Sequence, residues 1–216
     1  MRLLKMLYLA VFTAVAVMVS IVGPASAETF CEQNTNPCPE ASRVAVGKLY
    51  ALLATGHSAI LLDNAGQALL KCDAEKLGKV TATGGGKPVI GEITKTALIN
   101  CLGACSKATG VNLSYKEEAI AASAHVLISK GTGAGKPGFT IEGCPFGVTC
   151  KFEITNASAL LSVSGSTQTA KSVPFTLLNP GLCSIFASDV FLDASYAFSL
   201  DLAGNHATPI FLVASP

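Results

Sequence analysis

The chain has 216 residues, of which 50% are apolar and 13% charged, with 15 Lys plus Arg against 14 Asp plus Glu and no tryptophan. So small and balanced a charge excludes the basic surface that nucleic acid or an anionic membrane recruits, and so apolar a composition excludes a disordered polar tail. The length suffices for one large domain, or two small ones, around a real core.

At the N-terminus, Arg2 and Lys5 precede an uncharged apolar run over residues 6–22, and "GPASA" ends at Ala27 in the Ala-x-Ala pattern that signal peptidase reads. Residues 1–27 are therefore expected to be a Sec-type signal peptide. An uncleaved anchor is the competing reading, and the small residues Ala25, Ser26 and Ala27 decide for cleavage. The remaining 28–216 would form a single β-rich secreted domain with 13 basic and 14 acidic side chains, net −1, because the removed piece carries only Arg2 and Lys5. No later segment reaches membrane-spanning length without a charge or a Gly/Pro break, so no membrane insertion is expected after cleavage.

Eight cysteines follow: Cys31, Cys38, Cys72, Cys101, Cys105, Cys144, Cys150 and Cys183. An even number in an exported chain reads as a disulfide framework. Short spacing favours Cys31 with Cys38, Cys101 with Cys105 and Cys144 with Cys150, leaving Cys72 with Cys183 to tie the halves together. The alternative pairs Cys72 with Cys101 and Cys105 with Cys183. The spacings do not supply the paired short knuckles of a structural zinc site, and His57, His125 and His206 stand singly, so no metal and no cofactor are expected.

Along the chain, "KLYALLAT", "GHSAILLD", the turn "NAG" and "QALLKCD" read as strands leading into a hairpin. "PVIGEITKTALINC" alternates so that Ile93 and Ala97 share the inward face. "SYKEEAIAASAHVLISK" offers a helical turn or two over residues 116–124 before β-branched Val126 and Ile128 favour a strand. "TCKFEIT" sets Cys150, Phe152 and Ile154 against Lys151, Glu153 and Thr155, a half-buried strand. "SALLSVSG", "SVPFTLLN" and "TPIFLVAS" are further strands, with Pro174 and Pro209 suited to strand starts or edges. The sum is an all-β fold, a disulfide-stapled β-sandwich or barrel of about ten short strands.

Two glycine runs end in Lys-Pro: "TATGGGKP" and "GTGAGKPG". Each lysine, Lys87 or Lys136, lies fourteen residues before a cysteine, Cys101 or Cys150, an offset that suggests one unit made twice and two related halves near 28–110 and 111–216. A nucleotide-binding loop needs a hydroxyl after the lysine and a helix opening on the phosphates. Pro88 and Pro137 remove the hydroxyl and one amide donor, and a β segment rather than a helix follows each, so the runs read as turns between strands. As the places where small residues allow close approach, Gly84, Gly85, Gly86, Lys87, Gly133, Gly135 and Lys136 are the candidate binding loops, expected near one another at one end of the domain.

No Gly-x-Ser-x-Gly elbow is present. A Ser/His/Asp site would have to use His57 or His206 with Asp63, Asp189, Asp193 or Asp201, without motif support. Glu117 and Glu118 are adjacent, so their carboxylates point apart, unlike a glycosidase pair. Asn112 and Asn156 open glycosylation sequons, read here as plain polar positions.

"CEQNTNPCPEA", "LLKCDAEKLGKVTATGGG", "GEITKTALINCLGAC" and "CPFGVTCKF" together resemble uncharacterised secreted cysteine-containing β-rich proteins of actinobacteria, over most of the chain after residue 27. The resemblance implies a bacterial exported protein with a β-rich fold and carries no catalytic residue to this chain. The expected function is an exported non-enzymatic β-domain, an extracellular or cell-envelope binding or structural protein with an unknown extracellular or cell-wall ligand. The alternative is a secreted hydrolase with a Ser/His/Asp-type site.

Overall fold

The computed structural model describes residues 28–83, 89–111, 113–121, 126–131, 135–156, 158–185, 188–201, 206 and 208–214. The expected signal peptide, His125 and Asn112 lie outside them.

Five long strands form a continuous wall: β2 (Leu49–Leu62), β3 (Ala68–Ala82), β4 (Ile90–Gly103), β11 (Thr167–Leu177) and β12 (Asp189–Leu200), in the order β4-β3-β2-β12-β11. Six short strands close it: β5 (Lys107–Val111), β6 (Tyr115–Ala121), β7 (Val126–Gly131), β8 (Gly138–Glu142), β9 (Cys150–Ile154) and β10 (Ser158–Ser164). Through β6, β7 and β10 the wall closes as an eight-stranded barrel. Through β5, β8 and β9 it closes a second time, because β5 pairs with β4 at Ala97 and Leu98 while β9 pairs with β11 at Phe175 to Leu177.

The two closures are one barrel. Strands β5 and β6 are both antiparallel to β4, and β9 and β10 are both antiparallel to β11. Each consecutive pair, β5 then β6, β7 then β8, β9 then β10, therefore fills one position of the ring. The result is an up-and-down meander in chain order, with three positions broken at mid-height. Antiparallel neighbours need only short connections, and closure confines unpaired edges to the breaks. The choice between sandwich and barrel is thus settled as a barrel.

The hairpin expected around Asn64 is formed by β2 and β3. Asp63 Oδ1 accepts the amides of Ala65 and Gln67, each at 2.8 Å, which fixes its turn. The "TCKFEIT" alternation also holds, with Cys150, Phe152 and Ile154 buried. Residues 116–121, read as a helical turn, are instead part of strand β6, whose pairing with β4 and β7 overrides the local Ala/Glu preference. "KLYALLAT" and "GHSAILLD" are one strand with a bulge between Ala54 and Ala59. In β4 a register shift beside Thr94 reverses the alternation, so Ile93 points inward but Leu98, rather than Ala97, does so after it. Pro174 lies where β10 has left β11 and β9 has just arrived, so its missing N–H falls at a local edge.

Among the cysteines, Cys31–Cys38 forms as expected, but Cys101–Cys105, Cys144–Cys150 and Cys72–Cys183 do not, nor does the alternative Cys105–Cys183. The other bonds are Cys72–Cys101, which the alternative contained, Cys105–Cys144 and Cys150–Cys183. Strand register decides the partners. Cys72 faces Cys101 beside the Lys71–Leu102 pair, and Cys105 faces Cys144 on the extension of the Lys107–Glu142 pair, with Cα atoms 4.1 and 4.0 Å apart. The repeated glycine spacing does not mark a repeated structure either. One unbroken strand, β4, leads to Cys101, whereas β8 and a turn precede Cys150.

At the barrel's upper end lies a ribbon of β1 (Glu28–Cys31) and β13 (Phe211–Ala214). Phe30 packs on Tyr50 and Phe198, with ring centroids 5.4 Å from each, and Leu212 N donates to Gly165 O in the β10–β11 turn. The turns after β2, β4, β8 and β11 make the lower end.

Candidate functional site

Strand alternation on β3 buries Leu70, Cys72, Ala74, Lys76, Gly78 and Val80, which carries a lysine into the barrel. On β6 the same parity buries Glu117 with Tyr115 and Ala119, and on β11 it buries Gln168 with Ala170. The three polar side chains meet across the lumen. Lys76 Nζ donates to Glu117 Oε1 and to Gln168 Oε1, both at 3.0 Å, and Gln168 Nε2 donates to Glu117 Oε2 at 2.9 Å. The Lys76 ammonium also lies 4.5 Å from the centre of the Tyr196 ring, an attractive cation–π contact.

Burial opposes the charge on Lys76, but the adjacent Glu117 carboxylate, through its charge and its hydrogen bond, acts with the Tyr115 and Tyr196 phenols to outweigh it and hold the ammonium well above the usual lysine range. Burial likewise pushes the Tyr115 phenol up to about 12 and raises Tyr196. Tyr50 is raised well above its ordinary value by burial and then by the nearby Glu117 charge; its hydroxyl is buried with no hydrogen-bond partner among the described residues. It fits only because Gly91 and Gly78 lack side chains: a Cβ would stand 2.0 Å from Tyr50 Oη at Gly91 and 2.5 Å from its ring at Gly78.

Below the triangle, just inside the strand breaks, is a cavity of about 60 Å³ whose lining includes Lys76, Tyr115, Tyr196, Phe139, Leu161 and Phe175. Ligand pockets are on the order of 300–1,000 Å³, so this one accommodates no drug-sized molecule. Chemically, the triangle engages both carboxylate oxygens and the amide oxygen. A lysine kept protonated offers neither a nucleophile nor a base.

The expected hydrolytic groups are dispersed. His57 sits in the β2 bulge at φ 56°, with its amide donating to Asp73 Oδ1 at 2.9 Å. Asn100 Nδ2 donates to the other oxygen of Asp73, also at 2.9 Å, so one carboxylate joins irregular stretches of β2 and β4. Those two hydrogen bonds, Asn100 first, lower its pKa. Asp193 performs a similar task on β12. Burial raises its pKa, but hydrogen bonds from Lys171 Nζ and Ser172 N outweigh that and leave it lowered. Asp63 holds its turn, Asp189 pairs with Thr176 in the sheet, and His206 Nδ1 is 3.8 Å from Asp201. No serine hydroxyl bonds to His57 or His206 among the described residues. Glu117 and Glu118 are on opposite faces of β6, as their adjacency required.

Of the candidate binding loops, Gly84, Gly85, Gly86, Lys87 and Gly133 lie outside the described residues. Gly135 is half-buried, and Lys136 Nζ donates to Thr155 O at 2.8 Å. Of the flanking strands, β3 ends and β4 begins at the upper end, and β7 ends and β8 begins at the breaks. Sequence reasoning missed Lys76, Glu117 and Gln168, although each occupies the apolar parity of its strand.

Among the described residues no helix is long and apolar enough to cross a membrane, and no group of three His, Cys, Asp or Glu is placed to hold a metal ion. The fold defines the class, a disulfide-stapled up-and-down β-barrel. Comparison with known proteins finds no matching family model, no matching curated protein and no matching solved structure.

Proposed function

We propose that the protein is an exported, non-enzymatic β-barrel domain, a binding or structural component of the extracellular space or cell envelope. The observation that carries this reading is the closed Lys76–Glu117–Gln168 triangle in a nearly filled lumen. It spends the barrel's most reactive side chains on one another, so recognition falls to the outer surface. Four disulfides are the mark of an oxidising compartment, and the signal-like residues 1–27 and the resemblance to secreted actinobacterial proteins support export. The test is labelling of the disulfide-intact protein with a serine-reactive fluorophosphonate, alongside a binding screen against glycans and cell-wall material. Absence of labelling together with saturable wall or glycan binding is expected. Labelling abolished by His206→Ala or His57→Ala would replace this reading with the hydrolase.

A further inference from the structure

The side chains that meet in the lumen from β3, β6 and β11 are shut off from solvent: Lys76 is 6% exposed, Glu117 2% and Gln168 0%. A carboxylate only accepts and an ammonium only donates, so the Gln168 amide has one possible orientation, its oxygen on Lys76 and its nitrogen on Glu117. With Nζ 3.0 Å from that oxygen and a C=O bond of about 1.23 Å, Nζ stands roughly 3.2–4.2 Å from the amide carbon Cδ. A near-attack conformer needs about 3–3.5 Å, which a small side-chain adjustment supplies. Glu117 meanwhile touches both nitrogens, Lys76 Nζ through Oε1 and Gln168 Nε2 through Oε2.

We propose that Lys76 and Gln168 become joined by an isopeptide bond, formed once per molecule inside the folded barrel, with Glu117 as the proton carrier and ammonia as the leaving group. The Nζ–Cδ bond forms and the Cδ–Nε2 bond breaks. Lys76 first passes a proton to Glu117 Oε1, which frees the lone pair on Nζ. Attack on Cδ moves the carbonyl electrons onto the amide oxygen, and their return expels Nε2. Of the three protons on the starting ammonium, one remains in the new amide, one leaves on Nε2 by way of Glu117, and one stays on Glu117 as a neutral acid. The balance needs no oxidant and no activating group.

An ammonium attacks nothing, and Glu117 favours that form of Lys76. Toward Gln168 the restriction is lifted, because transfer of the proton to Glu117 carries no charge out of the site and removes two charges that burial penalises. A small neutral fraction suffices for a step that each molecule performs once. The cavity of about 60 Å³ beside Lys76 receives the ammonia, since roughly 10–15 Å³ already holds a water molecule. No outside substrate takes part, so the reaction goes beyond the binding or structural reading without resting on it.

The product replaces a buried ion pair with an amide and a neutral carboxyl group, and loss of the ammonia prevents reversal. It also completes the covalent framework. Cys72–Cys101, Cys105–Cys144 and Cys150–Cys183 tie the lower end, and Cys31–Cys38 closes a short loop beside β1, so no disulfide joins barrel strands above the breaks. A Lys76–Gln168 bond links positions 92 residues apart, from β3 to β11, with β2 and β12 between them in the wall.

The experiment is peptide mapping of the folded, disulfide-intact protein after reduction, alkylation and digestion with trypsin. The expected product is one species that joins the peptides carrying Lys76 and Gln168, lighter than their sum by one ammonia and uncut after Lys76. On a reducing denaturing gel the linked chain should run ahead of an unlinked one, because the bond closes a loop. Glu117→Gln, shown to be folded by circular dichroism, should link about 100-fold more slowly or worse, the usual loss when a proton-transfer group is removed. Lys76→Arg keeps the charge without a usable nucleophile and should not link at all. Cleavage after Lys76 in the folded parent, with the Gln168 peptide at its full mass, would overturn the proposal whether or not any variant folds. Linkage as fast in folded Glu117→Gln as in the parent would overturn the role of Glu117. Fluorophosphonate labelling reports on neither residue, so the two tests fail separately.

Discussion

Above the strand breaks, the barrel is filled by Tyr50, Phe30 and Phe198 and crossed by the Lys76–Glu117–Gln168 triangle; below them, Phe139 stacks with Phe152 and meets Phe175 at a tilt inside a shell tied by Cys72–Cys101, Cys105–Cys144 and Cys150–Cys183. The upper half is organised from within, by polar groups that must all be satisfied together. The lower half is organised from its rim, by covalent bonds between strand ends. Six short strands with few ladder bonds each give a weak lower and upper arc, and the two halves stabilise those arcs by different means. The half whose rim is cross-linked also gathers exposed apolar side chains on its turns, Leu102, Phe146, Leu178, Leu182 and Ile185, which cross-linked turns can do without collapsing onto the core.

The contrast is broken most severely by Lys76→Met. That change strands the Glu117 carboxylate in the lumen and should cost about 3–5 kcal/mol in urea unfolding, whereas Lys76→Met with Glu117→Leu and Gln168→Leu should recover the part of the loss that the stranded charge causes. A triple variant no more stable than the single would show that the triangle does more than satisfy itself. Next in size, Cys150→Ser with Cys183→Ser opens a bond spanning 33 residues and should lower stability by about 3–4 kcal/mol on the chain-entropy estimate. Hydrogen exchange should place the lost protection in β8 and β9, leaving the amides around Lys76 as protected as before.

Gly91→Ala probes the upper half alone. The new methyl meets the Tyr50 hydroxyl, and a cost of about 1–3 kcal/mol is expected, relieved in part by Tyr50→Phe.

The smallest effects are in pH. Asp73 and Asp193 have lowered folded pKa values, so the stability they add is present above the ordinary carboxylate range and is lost as pH falls through those values. Glu28, in the capping ribbon, is raised by burial from 4.5 to about 7. Its contribution is full below 4.5 and disappears as pH rises through 7. Thermal melts of Glu28→Gln should therefore lose the decline between those pH values, and melts of Asp73→Asn should lose part of the acid decline; unchanged profiles would remove both assignments.

The all-β class, the β2–β3 turn and the alternation of "TCKFEIT" were legible because they depend on neighbours in sequence. The cysteine partners were not, since Cys72 and Cys101 meet through a register that bulges in β3 and β4 set. Bulges also hid the strand lengths: one irregularity beside Thr94 exchanges the two faces of β4. The triangle left a readable trace, a lysine on the apolar parity of "LLKCDAEKLGKV" and a glutamate on that of "YKEEA". Nothing in either segment says that the two strands approach across a lumen. The exposed lower end was hidden for a related reason, because its three uncharged turns are far apart in the chain and adjacent only once the barrel closes.

Because β1 pairs with β13, the chain enters and leaves the barrel side by side, at the end away from Phe146. A tag, a fusion partner or a surface tether joined directly before Glu28 or after Ala214 would therefore act as a handle on one pole and leave the other pole facing outward. Immobilised at either of those points, the barrel should offer the same turns to whatever it meets.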